Sequence, residues 1–201
     1  MVIIVTGFGV FKNYKVNPSW EAVKILGETW DDPENKIFTE QIPVEYDFVL
    51  NNVPNKWNEK NPEFVIHVGV SCMADKITLE RQGHNIGYDK KDTQGTCPPD
   101  QCCVPSRGDI VETTCLDLEK LMLDVNNDKS LAEMEVEACV SDDAGRYLCD
   151  FVYFKSLHSF SGKSLFVHVP EENKPYTIQQ TAEGLRCVIK NVILQLKAQV
   201  D

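Results

Sequence analysis

Apolar residues along this chain fall into two alternating kinds of run. Short β-branched runs predict strands at Val2–Thr6, Lys36–Ile42, Phe64–Val68, Glu135–Val140 and Ser164–Val169. Longer stretches with apolar residues three and four apart, as at Trp20, Val23, Ile25 and Leu26, predict helices between them. Those helices cover Pro18–Thr29, Tyr46–Glu59, Thr114–Asn126, Ala144–Ser159 and Tyr176–Val200. Asn17-Pro18 marks one start, a capping residue followed by a proline in the first turn. Strands alternating with helices imply an α/β class, with a largely parallel sheet covered on both faces. The unbroken runs Val2–Val5 and Phe64–Val68 fit strands buried on both sides. From Lys90 to Gly108 a stretch rich in Pro, Gly, Asp and Cys reads as an excursion from the domain, not a linker.

Composition narrows the picture. A chain of 201 residues, 42% hydrophobic and 25% charged, has the length and balance of one globular domain. No run approaches a bilayer span, and Met1–Val5 lacks the basic flank of a signal peptide, so a cytoplasmic protein with no membrane partner is expected. The net charge of -11 argues against a nucleic-acid partner, which needs clustered Lys and Arg. Without a secretory signal the eight cysteines read as free thiols. Cys97, Cys102 and Cys103 have no matching second half nearby, so no metal is expected and the segment reads as a plain exposed loop.

Two places hold candidate chemistry. Gly7-Phe8-Gly9-Val10-Phe11 follows the first strand, where α/β folds place ligands. A dinucleotide loop would need a third glycine where Lys12 stands, and no Walker lysine precedes a Ser or Thr. Phe8 and Phe11 fit either a flat apolar slot for a small uncharged ring or a plug in the core, and residues alone leave these even. The second place is Ser141–Asp150, where Cys149 sits near a strand–helix junction. There, backbone N–H groups and the helix dipole favour a thiolate. A cysteine nucleophile needs a base and a group to orient it. His67 and His168 occupy nearly identical contexts, Val-Ile-His-Val-Gly and Phe-Val-His-Val-Pro, and pattern does not choose between them. Among the carboxylates Glu80 stands out, closing the alternating run Lys76–Glu80 before an expected turn at Gly83. Asp142 and Asp143 compete, though helix N-capping accounts for them.

Seven ordered segments sharpen this reading. Val5–Phe11, Val16–Trp20, Ile42–Tyr46, His67–Ser71, Thr78–Asn85, Asp143–Asp150 and Phe166–Pro170 together resemble the pyroglutamyl peptidase I family, closest to its animal form. The resemblance implies a three-layer α/β/α sandwich around a mostly parallel, mixed sheet, phosphorylase/hydrolase-like. It implies one catalytic domain over residues 1–201, with no cofactor. It also implies a cysteine peptidase that removes pyroglutamate from peptide N-termini, as a monomer or weak homo-oligomer. Carried over by position, Cys149 is the nucleophile, His168 the base and Glu80 its orienting acid. Phe8 and Phe11 sandwich the lactam ring, and Ser71 joins the substrate-binding set. Val10 departs from the proline expected between the aromatics, Cys72 from a usual glycine, and residues Asp89 to Pro99 match poorly.

Overall fold

The computed structural model describes residues 1–11 and 16–199. Among the described residues eight strands follow one another as β1 (Val2–Phe8), β2 (Lys36–Ile42), β3 (Phe64–Val70), β4 (Ile77–Glu80), β5 (Gln82–His84), β6 (Val111–Thr113), β7 (Ala138–Ser141) and β8 (Ser164–Val169). Six α-helices are interspersed: α1 (Pro18–Glu28), α2 (Tyr46–Lys60), α3 (Leu118–Asn126), α4 (Lys129–Glu133), α5 (Leu148–Ser159) and α6 (Ile178–Ala198). The main sheet has the order β2-β1-β3-β8-β4-β7. Its first four strands run parallel, β4 runs antiparallel to β8, and β7 is parallel to β4. The sheet is therefore mixed, and its direction reverses between β8 and β4.

One apolar cluster joins α1, α3 and α6 to one face of the sheet, and a second joins α2 and α5 to the other. This is the expected three-layer α/β/α arrangement. β1, β3 and β8 are buried nearly throughout, as their unbroken apolar runs require. Gly7 lets α1 start directly on β1, since a Cβ there would lie 2.7 Å from the Trp20 Cα.

Several boundaries differ from the sequence expectation, each for a local reason. The alternating run before Glu80 is a sheet strand, β4, and the expected turn at Gly83 is strand β5, paired with β6 at the base of the excursion. α5 begins at Leu148, not Ala144, because Gly145 takes a φ of 82° and its N–H donates to the Asp143 carboxylate instead of starting a helix. The N-cap is Tyr147, so neither Asp142 nor Asp143 caps: Asp142 pairs with Arg81 and Asp143 with Arg146. α3 starts at Leu118 because the Asp117 carboxylate accepts the Lys120 N–H. The short α4 was not expected, and Glu135, at a φ of 57°, follows it and delays β7 to Ala138. α6 opens on a Thr177–Gln180 capping box. Its expected end at Val200 lies outside the described residues. The 90–108 segment is not plainly exposed, for Asp92, Cys102 and Cys103 are buried in it. All eight cysteines are free thiols.

Candidate active site

A cavity of about 590 Å³ opens above the sheet at the ends of β1, β3 and β8, beside the start of α5. Cys149, His168, Glu80, Phe8, Phe11 and Ser71 all line it. The six site residues expected from sequence thus lie in one place, although they come from five different stretches of chain.

Cys149 is the second residue of α5, in the first turn, whose N–H groups have no intrahelical acceptor. Those donors and the positive helix end can hold a developing oxyanion. His168, near the end of β8, donates or accepts through Nδ1 with Glu80 Oε1 at 2.7 Å. Cys149 lines the same cavity and interacts with this imidazole, and with Nδ1 held by Glu80 it is Nε2 that is left for sulfur. Burial works against an imidazolium there, but the Cys149 and Glu80 hydrogen bonds and charges outweigh it and raise His168 to about 10. Glu80 is only 2% exposed, and its second oxygen, Oε2, has no partner among the described residues. Its one side-chain hydrogen bond among the described residues is therefore the one to His168. Tyr153, buried in α5, donates to the Glu80 carbonyl at 2.8 Å and fixes the strand that carries it.

Close packing holds the thiol in place. A Cβ on Gly69 would stand 2.7 Å from Phe166 Cζ and 3.0 Å from Cys149 Sγ, so β3 admits only glycine beside the nucleophile. Gly69 is the register partner of His168, whereas His67 pairs with Phe166, two residues deeper. His67 is fully buried, with Nδ1 2.7 Å from Thr6 Oγ1 and Nε2 2.8 Å from Ser156 Oγ. Burial pushes it down to about 3. It is a neutral core histidine and shares nothing with Cys149.

Phe8 is 3% exposed, packing into the core while also lining the cavity wall. Phe11 is half-buried at the cavity. The Ser71 hydroxyl accepts the Met73 N–H at 3.2 Å, which commits it to the turn after β3. Val10 and Cys72 are both exposed, and Cys72 lines the cavity.

Sequence reasoning missed four contributors. Asn17 was read only as a helix start. Its Oδ1 accepts from the Ser19 N–H and hydroxyl, and its Nδ2 donates to the Gly9 carbonyl at 2.9 Å. Ser19 Oγ in turn accepts the Phe8 N–H at 3.1 Å, so Asn17-Pro18-Ser19 fastens the aromatic loop to α1. Tyr147 and Lys90 line the far wall, joined where the Tyr147 hydroxyl donates to the Lys91 carbonyl at 3.2 Å. No periodicity could have announced such contacts.

The chain is similar to known proteins along nearly its whole length. A family model described as pyroglutamyl peptidase matches residues 1–196. Pyroglutamyl-peptidase 1 of Homo sapiens is 39% identical over 191 residues, 95% of this chain and 89% of that protein. Pyrrolidone-carboxylate peptidase of Thermococcus onnurineus is 30% identical over 176 residues, 85% of this chain and 84% of its own. Among solved structures, a variant pyrrolidone carboxyl peptidase from Pyrococcus furiosus superposes with a TM-score of 0.83 at 25% identity, covering 98% of this chain and 100% of that one. Pyroglutamyl peptidase I from Bacillus amyloliquefaciens gives 0.79 at 23% identity, covering 93% and 94%, a likeness of fold.

Proposed function

This chain belongs to the pyroglutamyl peptidase family, and we propose that Cys149, His168 and Glu80 carry its chemistry. It is a cysteine peptidase that hydrolyses the amide bond after an N-terminal pyroglutamate. The observation that carries the residue assignment is the chain of contacts from Glu80 through His168 to Cys149 at a helix start.

In this reading the Cys149 thiolate attacks the carbonyl that joins pyroglutamate to the next residue. The first-turn N–H groups of α5 receive the oxyanion. His168, protonated when the thiolate is formed, passes its Nε2 proton to the departing amine, while Glu80 holds the ring and stabilises its charge. A thioester remains. Neutral His168 then draws a proton from water, whose oxygen attacks the thioester and releases free pyroglutamate and the thiolate.

Phe8 and Phe11 offer the apolar wall that an uncharged lactam needs, with Ser71 at the rim. A free N-terminal ammonium would lose its water and gain no carboxylate there, because Glu80 is engaged by His168 and Asp143 by Arg146. Residues 1–201 are taken as one catalytic domain, supported by a family match that spans nearly all of them. Eight unpaired thiols fit a reducing, cytoplasmic setting. No described helix is long and apolar enough to cross a membrane, and the acidic surface suits neither nucleic acid nor anionic lipid. A monomer or weak homo-oligomer completes the reading.

Hydrolysis of a fluorogenic pyroglutamyl amide tests the assignment. Wild-type turnover that vanishes in Cys149→Ala and His168→Ala, and survives in His67→Gln, is the expected result. Turnover in Cys149→Ala equal to wild type would show that the nucleophile lies elsewhere.

A further inference from the structure

Directly after the nucleophile stands a carboxylic acid that the mechanism above does not use. Asp150 lies in the first turn of α5 and is completely buried. Its Oδ1 accepts the His84 backbone N–H at 3.2 Å and faces His84 Nδ1 at 3.3 Å. Its Oδ2 accepts from the Tyr88 hydroxyl at 3.0 Å, with Arg146 NH1 at 3.7 Å. The Tyr88 hydroxyl also reaches the His84 carbonyl. That hydroxyl has one proton and two acceptors, so it satisfies only one of them as a donor. A proton on Asp150 completes the set: the acid donates to Tyr88, and Tyr88 donates to the His84 carbonyl. Burial, opposed by His84, Tyr88 and Arg146, raises Asp150 to about 6, which brings the protonated form within reach on the mildly acidic side of neutrality.

The contacts join two pieces of the site that are far apart in sequence. β5 lies hard against α5, where a Cβ on Gly83 would stand 2.8 Å from the Phe154 backbone nitrogen. From His84 the chain continues to Tyr88 and Lys90, and so into the cavity wall. Resting on the assignment of Cys149 as nucleophile, we propose that Asp150 is a positioning residue. Its carboxyl clasps His84 and Tyr88 to the first turn of α5 and sets the orientation of Cys149 against the 84–91 wall. The ring slot hangs separately from α1 through Asn17 and Ser19, on a different element. The clasp therefore acts on turnover more than on binding.

The test compares Asp150→Ala, Asp150→Asn and Tyr88→Phe in the full chain. Readouts are kcat and KM on a fluorogenic pyroglutamyl amide and the rate of Cys149 alkylation by iodoacetamide. Asp150→Ala is expected to lower kcat and alkylation tenfold or more, with KM within threefold. Asparagine keeps the acceptor for the His84 N–H and offers a donor to the Tyr88 oxygen, so Asp150→Asn stays within threefold of wild type. Tyr88→Phe loses two- to fivefold in kcat, and adds little when combined with Asp150→Ala. Wild-type kcat in Asp150→Ala, or equal losses in the Ala and Asn variants, overturns the clasp. Should Asp150→Ala not fold, wild-type kcat in Tyr88→Phe overturns it instead. Activity surviving in Cys149→Ala would fell the site assignment as well, whereas an inactive Cys149→Ala beside an unaffected Asp150→Ala fells the clasp alone.

Discussion

Substituting Gly69 by alanine places one methyl group between the Phe166 ring and the Cys149 sulfur and reads the tightness of the site directly. The new Cβ would lie 2.7 Å from Phe166 Cζ and 3.0 Å from Cys149 Sγ. Non-bonded carbons rest at about 3.5–4.0 Å, so the ring must retreat by about 0.8 Å. It has little room, being wholly buried with Tyr153 at 6.0 Å and His168 at 4.7 Å between centroids. The displacement is therefore shared with His168 on one side and the Cys149 sulfur on the other. Overpacking of this kind costs about 1–3 kcal/mol of stability. A shift approaching 1 Å in the reacting groups lowers kcat by about 100-fold. KM should change little, since Phe8 and Phe11 lie on another loop. Steady-state hydrolysis of a pyroglutamyl amide, with thermal unfolding of the same sample, separates the two effects. Phe166→Leu in the Gly69→Ala background should recover part of kcat by making space. A folded Gly69→Ala enzyme with wild-type kcat would refute the packing argument.

Other consequences follow from the buried groups. His67 has a folded pKa depressed to about 3 against an ordinary value of 6.5. Its stabilising contribution is thus complete above pH 6.5 and is lost as pH falls towards 3, at up to about 1.4 kcal/mol per pH unit. His67→Gln should flatten the acid arm of stability in chemical denaturation between those limits, and an unchanged arm would count against it. Glu80 helps to raise His168, so Glu80→Gln should lower the alkaline limb of the pH profile of kcat/KM and reduce kcat. An alkaline limb that does not move would mean that Glu80 does not hold the imidazolium. Phe8→Ala should cost about 3–5 kcal/mol of stability as well as affinity, because that ring is core. Phe11→Ala, at a half-buried ring, should raise KM with a smaller loss in thermal midpoint.

What the sequence determined by itself was the set of parts. Apolar runs located β1, β2, β3 and β8 and the helices around them, because strand and helix periodicities are properties of neighbouring residues. Ordered matches along nearly the whole chain picked out Cys149, His168, Glu80, Phe8, Phe11 and Ser71. Boundaries set by single capping or left-handed residues, at Gly145, Asp117 and Glu135, were less legible, because one side chain decides each. The resemblance selected His168, but the physical reason it differs from His67 shows what only the tertiary structure decides. By pattern they are near twins, on adjacent parallel strands. Register sets them two residues apart: Gly69 stands beside His168, and Phe166 beside His67. The offset sinks His67 between Thr6 and Ser156, and raises His168 to meet Glu80 from the antiparallel β4 and Cys149 from α5. Register is a relation between strands, set by how both pack under their helices, and neither strand carries it alone.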